Sequence, residues 1–374
     1  MPENSVRPFE IKVPDSVLTD LHERLERTRW ATSVAGGDWK YGADITYIRS
    51  LCDYWKDQYD WRAQERLLNA YPQFLCEAGG VDLHFWHIRG KGANPFPLLL
   101  MHGWPGSAYE FFEMIEPLSE TFDLVIPDLP GFGFGGIPKE AGWGAARVAN
   151  AFHTLMTEKL GYERYGTQGG DWGAMISARL GACYPKQVAG IHINFVFLPT
   201  IPVSGLPPED MRRVQEQIEF DKHEGAYHLV HETKPDSLTI GQSDSPAGLA
   251  AWITEKFRTW SDCGGEIERK FSKDALLTNL MFYWANNASA SAARLYFESH
   301  ADPALNFGAP DPKITVPTAV AHFPFDPFNN PRSWAEKHFN IVRWTDMPSG
   351  GHFPAMEEPE LLARDVREFY ETLR

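Results

Sequence analysis

The chain has 374 residues, which is enough for one large domain with an insertion or for two ordinary domains. Hydrophobic residues make up 43% and charged residues 23% of it, an ordinary balance for a soluble globular protein. The formal net charge of −15 argues against nucleic acid and against an anionic membrane surface as partners, because both bind basic surfaces.

The sequence carries no sign of secretion or of membrane insertion. Its first residues lack the basic segment and apolar stretch of a signal peptide, and its purely apolar runs are too short for a transmembrane helix. The four cysteines, Cys52, Cys76, Cys183 and Cys263, are scattered and form no C-x-x-C pair. These features predict a soluble protein of the reducing cytoplasm.

Residues 1–80 are predicted to form a mainly helical lead-in segment. Leu18, Leu21 and Leu25 fall at helical spacing, and residues 44–75 contain a second pattern of this kind.

From residue 81 onwards, strands alternate with helices. Strands are predicted at 81–88 and 188–197, 97–106 is predicted to be a short buried strand that ends in a Gly/Pro turn, and 122–136 a strand that runs into a glycine-rich loop. Helical stretches are predicted at 107–120 and 142–160. This rhythm is typical of an α/β domain whose central sheet is mostly parallel, with helices on both faces.

The strand rhythm is interrupted once and then returns. Residues 199–310 are predicted to be helical, strands follow at 313–323 and 339–347, and a helix closes the chain at 358–373. A helical cap is therefore expected to be inserted into the α/β domain. The expected units are the lead-in segment at 1–80, the core at 81–198 and 312–374, and the cap at 199–311.

A turn rich in glycine contains the first candidate for chemistry. Residues 169–173, GGDWG, fit a strand-to-helix turn that exposes a nucleophile, with Asp171 where many hydrolases have serine. Taken alone the pattern is weak, because an aspartate in such a turn also caps helices, here one at 172–182.

Three further residues follow other predicted strands. Residues 102–106, HGWPG, lie where this kind of fold places a second oxyanion-hole donor, which would be the amide of Trp104 beside that of Trp172. His352 follows the last strand, and Asp326 follows the strand before it. The chain order of nucleophile, acid and histidine favours hydrolytic chemistry.

Taken together, these motifs resemble the epoxide hydrolase family, in the branch of the microsomal, fungal and juvenile-hormone enzymes. Similar segments extend over nearly the whole chain, among them PFEIKVPD, HGWPGS, GGDWG, TKPDSL, LLTNLMFYW, FPFD and GGHFPAMEEPELLA. The resemblance implies an α/β-hydrolase fold, a small epoxide as substrate, no cofactor and a homodimer. Membrane-bound relatives carry an N-terminal anchor that this chain lacks, which implies a soluble form.

The resemblance also assigns roles to particular residues. It implies that Asp171 attacks the epoxide to form an ester, and that Tyr227 and Tyr296 from the cap protonate the epoxide oxygen. His352, held by Asp326, would then activate water. Some relatives have glutamate in place of Asp326, and the loop after residue 131 departs from the usual family pattern.

Other functions remain open at this stage. A haloalkane or haloacid dehalogenase would share the aspartate nucleophile, and a non-catalytic relative would keep the fold alone.

Residues 131–136 match G-x-G-x-x-G formally, but Pro138 follows and the expected acidic residue is missing, so a turn is predicted. His228 and His231 fit no zinc motif, and no metal is expected. Thirteen tryptophans and twenty-four phenylalanines are consistent with an apolar or aryl-bearing substrate, but core packing accounts for most of these rings.

Overall fold

A computed structural model describes residues 6–35, 37–196, 206–302, 313–328 and 331–373. The strands within these residues are β1 (Arg7–Phe9), β2 (Gln73–Ala78), β3 (Val81–Ile88), β4 (Phe96–Met101), β5 (Phe122–Pro127), β6 (Tyr165–Gly169), β7 (Val188–Ile193), β8 (Ile314–His322) and β9 (Phe339–Asp346).

The helices flank these strands or lie between β7 and β8. Those outside that interval are α1 (Asp15–Glu26), α2 (Ile45–Asp57), α3 (Trp61–Leu68), α4 (Ile115–Ser119), α5 (Ala145–Thr154), α6 (Asp171–Cys183), α13 (Arg332–His338), α14 (Pro354–Glu357) and α15 (Pro359–Glu371). Those between β7 and β8 are α7 (Pro208–Glu224), α8 (Ala226–Thr233), α9 (Pro235–Asp244), α10 (Pro246–Thr259), α11 (Lys273–Trp284) and α12 (Ser289–His300). Short 3₁₀ turns occur at Trp39–Tyr41, Ala108–Met114 and Ile267–Arg269, and α5 runs into a π-helical turn at Leu155–Lys159.

The strands form one sheet in the order β1-β2-β3-β5-β4-β6-β7-β8-β9. From β5 to β9 all neighbours are parallel, whereas β1, β2 and β3 continue the sheet in antiparallel fashion. The predicted α/β fold with a mostly parallel sheet is confirmed. Because parallel strands end at the same edge, the loops after β4, β6, β8 and β9 meet there.

Helices cover both faces of the sheet. On β7, a side chain at Gly190 would meet Phe369 of α15, whereas the neighbouring Ile191 lies close to Gly181 of α6. Successive strand residues point to opposite faces, so α15 and α6 lie on opposite sides of the sheet. All six residues of β5 and of β7 are buried, as expected for strands that are covered on both faces.

Six α-helices, α7 to α12, lie between β7 and β8 in the described part of the chain. The expected limits of the cap, at 199 and 311, lie outside the described residues. Two of these helices, α10 and α11, pack against helices of the lead-in segment. There the Tyr54 hydroxyl donates a hydrogen bond to Asp274 at 2.9 Å, and the hydroxyl groups of Tyr59 and Thr278 are 2.9 Å apart.

The lead-in segment differs from the prediction in one respect. It contains α1, α2 and α3, but it also contributes β1 and β2 to the sheet. Pro72 follows α3, and every residue from Gln73 to Ala78 pairs with β3. The helical pattern expected up to residue 75 therefore stops earlier, because pairing with a neighbouring strand outweighs the local preference.

Candidate active site

The turn between β6 and α6 presents Asp171. Its backbone has φ 47°, in the left-handed region that side chains other than glycine rarely adopt. Neighbouring chain segments press closely on this turn. A Cβ on Gly170 would lie 2.5 Å from Asn194 Nδ2, and one on Gly173 would lie 1.9 Å from the Met101 carbonyl oxygen. Gly173 is therefore required, because it meets backbone, whereas a larger residue at Gly170 would displace the Asn194 side chain.

The two carboxylate oxygens of Asp171 have different surroundings. Oδ1 accepts a hydrogen bond of 2.9 Å from the Trp104 amide, in the loop after β4. Oδ2 lies 3.6 Å from His352 Nε2. The side chain is 16% exposed, so one oxygen is fixed by the backbone while the carboxylate still borders open space.

His352 and Asp326 form a buried pair beside Asp171. His352 Nδ1 is 3.2 Å from Asp326 Oδ1, and that oxygen also accepts a hydrogen bond of 3.1 Å from the Phe328 amide. The imidazole packs edge-on against the rings of Trp260 and Phe328, at 5.1 Å and 5.3 Å. The contact with Asp326 leaves Nε2 directed at the nucleophile candidate.

Opposing effects act on the protonation of His352. Burial disfavours the charged imidazolium, but the carboxylates of Asp326 and Asp171 outweigh it and raise the pKa of His352 to about 10. At neutral pH the resting site therefore contains an imidazolium between two carboxylates.

Tyr227 and Tyr296 come from α8 and α12 and lie over the same site. Both are buried, and their rings meet edge-on at 6.1 Å. The Trp104 ring stacks on Tyr227 at 5.1 Å, and the Trp172 ring meets Tyr296 edge-on at 4.8 Å. The structure therefore brings together all the site residues predicted from the sequence.

Both tyrosines are held in the protonated form. Burial, followed by the negative charge of Asp171, raises the pKa of Tyr227 and of Tyr296 well above the usual value of a phenol. The Tyr296 hydroxyl is buried and has no hydrogen bond of good geometry within the described residues, although the Trp172 indole and the Tyr227 hydroxyl lie near enough to influence it. A buried hydroxyl without a partner is costly, unless a bound ligand supplies the acceptor.

Several contacts at the Trp104 loop were not predicted from the sequence. Asn279 Nδ2 donates to the Pro105 carbonyl at 2.9 Å, and the Tyr283 hydroxyl donates to the Gly106 carbonyl at 2.6 Å. Both residues lie in α11, whose apolar sequence indicates only a core helix. The insertion thus holds the loop whose Trp104 amide contacts Asp171.

A buried carboxyl group, Glu110, is a further residue that the sequence did not single out. A Cβ on Gly106 would overlap its Oε1, at 1.4 Å, so a larger residue there would displace the Glu110 side chain. Burial raises the pKa of Glu110 to about 8, with the charge of His352 opposing the shift and that of Asp171 adding to it. Its place in the sequence, just after the HGWPG motif, was the one available signal.

Of the two cap histidines, His228 pairs with Glu232 at 3.2 Å, and His231 is a buried packing residue. His231 Nε2 accepts a hydrogen bond of 3.2 Å from the Trp252 indole, and burial lowers the pKa of His231 to about 3. Its neutral ring lies edge-on against Trp104 at 4.7 Å. Within the described residues, no group of three or more His, Cys, Asp or Glu side chains is arranged to hold a metal ion.

A carboxylate on a strand-to-helix turn, facing a His–Asp pair at the carboxyl edge of a mostly parallel sheet, defines an α/β-hydrolase. Residues 97–359 match the family described as alpha/beta hydrolase fold, and residues 6–111 match the family described as epoxide hydrolase N terminus. The chain belongs to the epoxide hydrolase family, and it is a hydrolase that acts on ether bonds.

Individual relatives resemble the chain over almost its full length. A putative epoxide hydrolase of Stigmatella aurantiaca is 39% identical, over 99% of this chain and 86% of the relative. Epoxide hydrolase 1 of Oryctolagus cuniculus is 34% identical, over 98% of this chain and 89% of the relative. The crystal structure of juvenile hormone epoxide hydrolase from Bombyx mori superposes with a TM-score of 0.92 at 33% identity, covering 99% of this chain and 95% of the other.

Among the helices of the described residues, none combines the length and the apolar character that a membrane crossing requires.

Proposed function

We propose that this epoxide hydrolase converts its substrate to a vicinal diol through a covalent ester on Asp171. One observation carries the proposal. The Trp104 amide holds Oδ1 of Asp171 at 2.9 Å, while Oδ2 faces His352 and the two tyrosines cover the site. Such an arrangement suits a nucleophile that must be fixed in direction before it attacks.

The first step opens the epoxide. Oδ2 of Asp171 attacks one ring carbon, a C–O bond forms, and the C–O bond to the ring oxygen breaks. The developing alkoxide accepts hydrogen bonds from Tyr227 and Tyr296 and takes up a proton from one of them. Because their raised pKa keeps both phenols protonated, the proton is available at neutral pH.

The second step hydrolyses the ester. Esterification removes the charge of Asp171, one of the two carboxylates that raise the pKa of His352, so this pKa falls and the imidazolium becomes a stronger acid. It releases its proton, which restores the tyrosine that was deprotonated in the first step. Neutral His352 then takes a proton from water, which attacks the ester carbonyl carbon. The oxyanion of the tetrahedral intermediate is held by the amides of Trp104 and Trp172, each typically worth ~3–4 kcal/mol. Its collapse breaks the ester C–O bond, and the leaving diol oxygen takes the proton from His352. The Asp171 carboxyl group then returns its proton to His352, which restores the resting site.

An apolar or aryl-bearing epoxide is the substrate class that the surroundings favour. Aromatic rings of Trp104, Trp260 and Phe328 surround the catalytic residues. The ring centroids of Trp104 and Trp260 are 6.0 Å apart, and those of Trp260 and Phe328 are 5.1 Å apart. Rings of this kind bind aryl groups in offset or edge-on contacts. Comparison of kcat/KM for a styrene-type epoxide and a short alkyl epoxide tests this. We expect the aryl substrate to be preferred about 10-fold or more, and equal values would contradict the proposal.

A cytoplasmic location and a homodimer also remain proposals. The four cysteines are free thiols, as is usual in a reducing compartment. The homodimer rests on the resemblance to the family. Fractionation of cells tests the location, and sedimentation velocity of the purified protein tests the dimer. A secreted protein or a monomer at micromolar concentration would contradict the respective proposal.

Isotope labelling tests the ester directly. With enzyme in excess over substrate in H₂¹⁸O, the first diol formed should carry no ¹⁸O, because its new oxygen comes from Asp171. The label should appear in the peptide that contains Asp171. Many turnovers in the same water serve as the control and should label the diol. Labelled diol in the first turnover would mean that water attacks the epoxide itself.

A further inference from the structure

We infer that Glu357 is a positioning residue for the second half of the reaction: its carboxylate fixes the loop that carries His352 and ties that loop to the segment after α10. This inference rests on the proposed role of His352 as the base that activates water. Neither the sequence motifs nor the mechanism above assigns a function to Glu357.

The carboxylate of Glu357 binds the amides on both sides of His352. Oε2 accepts a hydrogen bond of 3.0 Å from the Gly351 amide, and Oε1 accepts one of 2.9 Å from the Phe353 amide. A side chain that holds both neighbours of a residue restricts the backbone at that residue. The orientation of the imidazole therefore depends on Glu357.

The same carboxylate reaches the segment of residues 260–262. Oε2 also accepts a hydrogen bond of 2.7 Å from the Asp262 amide. The His352 amide donates to the Trp260 carbonyl at 2.8 Å, and the Gly350 amide donates to Asp262 Oδ2 at 3.1 Å. The loop and the segment are in close contact, and Glu357 joins them from one side.

Glu357 is bound directly by amides alone, while burial raises its pKa to about 7 against the opposing effects of these amides and of the Lys270 charge. Its side chain is buried, and no Lys, Arg or His of the described residues forms an ion pair with it. The neighbouring Glu358 is the residue that pairs with Lys270, at 2.6 Å. A buried carboxyl group whose oxygens accept three backbone N–H bonds, and which makes no direct ion pair, is placed to hold the backbone rather than to bind a charged side chain.

Glutamine is the informative replacement at this position. Its volume is nearly that of glutamate, but one of its two terminal atoms is an NH₂ group that donates. In one orientation of the glutamine amide, its NH₂ group faces the N–H groups of Gly351 and Asp262. In the other orientation, it faces the N–H group of Phe353. The variant therefore keeps the packing of the side chain, but it loses one or more of the hydrogen bonds that hold the loop.

The effect should be confined to one chemical step. In the proposed mechanism His352 acts on the ester and not on the epoxide, so a displaced imidazole slows hydrolysis and leaves alkylation unchanged. A small displacement of a catalytic group costs about 10- to 100-fold in rate. In steady state, kcat and KM should then fall together while kcat/KM stays the same.

Rapid-quench kinetics of Glu357→Gln, followed by intact-protein mass spectrometry, tests the inference. We expect the ester on Asp171 to form at the wild-type rate and to hydrolyse about 10- to 100-fold more slowly. Glu360→Gln is the matched control, because this exposed residue of α15 loses the same charge without touching the loop. Should Glu357→Gln fail to fold, Glu357→Asp, which keeps the charge but not the reach, should show the same selective loss.

Two results would overturn the inference. Hydrolysis at the wild-type rate in Glu357→Gln would show that the loop does not need the carboxylate. Equal losses in alkylation and hydrolysis would show a general structural role. A His352→Gln reference, run alongside, separates these results from a failure of the proposed function, since that failure would leave the reference without any ester on Asp171.

Discussion

Tyrosine hydroxyls show how burial and bonding separate a reactive group from a structural one. Tyr296 and Tyr370 are both buried. The Tyr370 hydroxyl lies 2.7 Å and 2.9 Å from the carbonyl oxygens of Thr167 and Gly190, and it accepts a hydrogen bond from the Thr167 amide. The Tyr296 hydroxyl has no such partner within the described residues. The Tyr370 hydroxyl therefore stabilises the sheet, whereas the Tyr296 hydroxyl is available to bind a ligand.

Replacement of each tyrosine by phenylalanine should therefore have opposite consequences. Tyr296→Phe should lower kcat/KM by about 100-fold or more, because one of the two hydroxyls that bind and protonate the developing alkoxide is lost. Its free energy of unfolding should stay the same or rise, since an unbonded buried hydroxyl is removed. Tyr370→Phe should lower the free energy of unfolding by about 1–3 kcal/mol and leave kcat/KM unchanged. Urea titrations and steady-state rates measure both, and a stable, fully active Tyr296→Phe would contradict the assignment.

At the residue scale, the sequence predicted the catalytic residues that directly follow strands. It did not predict residues whose role depends on contacts formed only in the folded protein. Asp171, Asp326 and His352 were found because strand order alone places them at one edge. Tyr227 and Tyr296 came from the family resemblance, since nothing local distinguishes them from core tyrosines.

The residues that were missed share a physical reason. Glu110, Asn279 and Glu357 act through contacts with backbone groups or with buried charges. Asn279, for example, lies 174 positions from its partner Pro105. A contact of this length leaves no local pattern in the sequence. Glu357 lies close in sequence to its partners Gly351 and Phe353, but those partners are backbone amides, which every residue has and which therefore give no signal.

The crossing of α6 over β4 is the element-scale feature that places the nucleophile. Gly173, in the first turn of α6, lies so close to β4 that a Cβ would be 1.9 Å from the Met101 carbonyl oxygen. Any side chain there forces helix and strand apart. Because Asp171 begins the same helix, its direction depends on this contact.

Gly173→Ala should therefore damage both stability and activity. We expect a loss of at least about 1–3 kcal/mol in the free energy of unfolding, as is usual for overpacking. Gly241→Ala is the matched control, since Gly241 lies within α9 with nothing within 4 Å of an added Cβ. That variant should gain about 0.5–1 kcal/mol through helix propensity. Thermal unfolding compares the two, and equal effects would contradict the account of the crossing.

Strand β6 shows why some elements were harder to predict than others. Its residues, YGTQG, are not the apolar run that a buried strand usually has, yet all five are buried. Tyr370 of α15 explains this, because a Cβ on Gly166 would lie 2.4 Å from its ring. A small residue is required beneath the tyrosine, and the sequence of β6 alone gives no indication of that partner.

At the scale of the whole molecule, a buried network joins the last helix to the sheet. Asp365 of α15 lies 3.0 Å from His192 Nε2 on β7. It also accepts hydrogen bonds from Arg343 and Thr345 on β9, the shortest at 2.6 Å and 2.7 Å. Burial alone would raise the pKa of Asp365, but the contacts with His192, Arg343 and Thr345 lower it well below the usual range.

This lowered pKa makes stability depend on acid pH. A group with a lower pKa in the folded state stabilises the fold above its unfolded pKa, near 3.9, and the contribution is lost as pH falls towards the folded value. Asp365→Asn should lower the free energy of unfolding at pH 7 by about 3–5 kcal/mol and flatten its fall in acid. Asp20→Asn, on the surface of α1, should change it by no more than about 0.5 kcal/mol. Denaturant titrations from pH 7 to pH 3 measure the free energy of unfolding. If it fell with pH as steeply in Asp365→Asn as in the wild type, the account of this network would be contradicted.

The most direct test of the central claim is the fate of substrate in a His352→Gln variant. The account predicts that Asp171 still attacks the epoxide, so that intact-protein mass spectrometry finds the mass of the protein plus one substrate, and peptide mapping places that mass on Asp171. Hydrolysis should be slowed enough for the ester to persist. A variant that folds, binds the epoxide and forms no adduct on Asp171 would contradict the account.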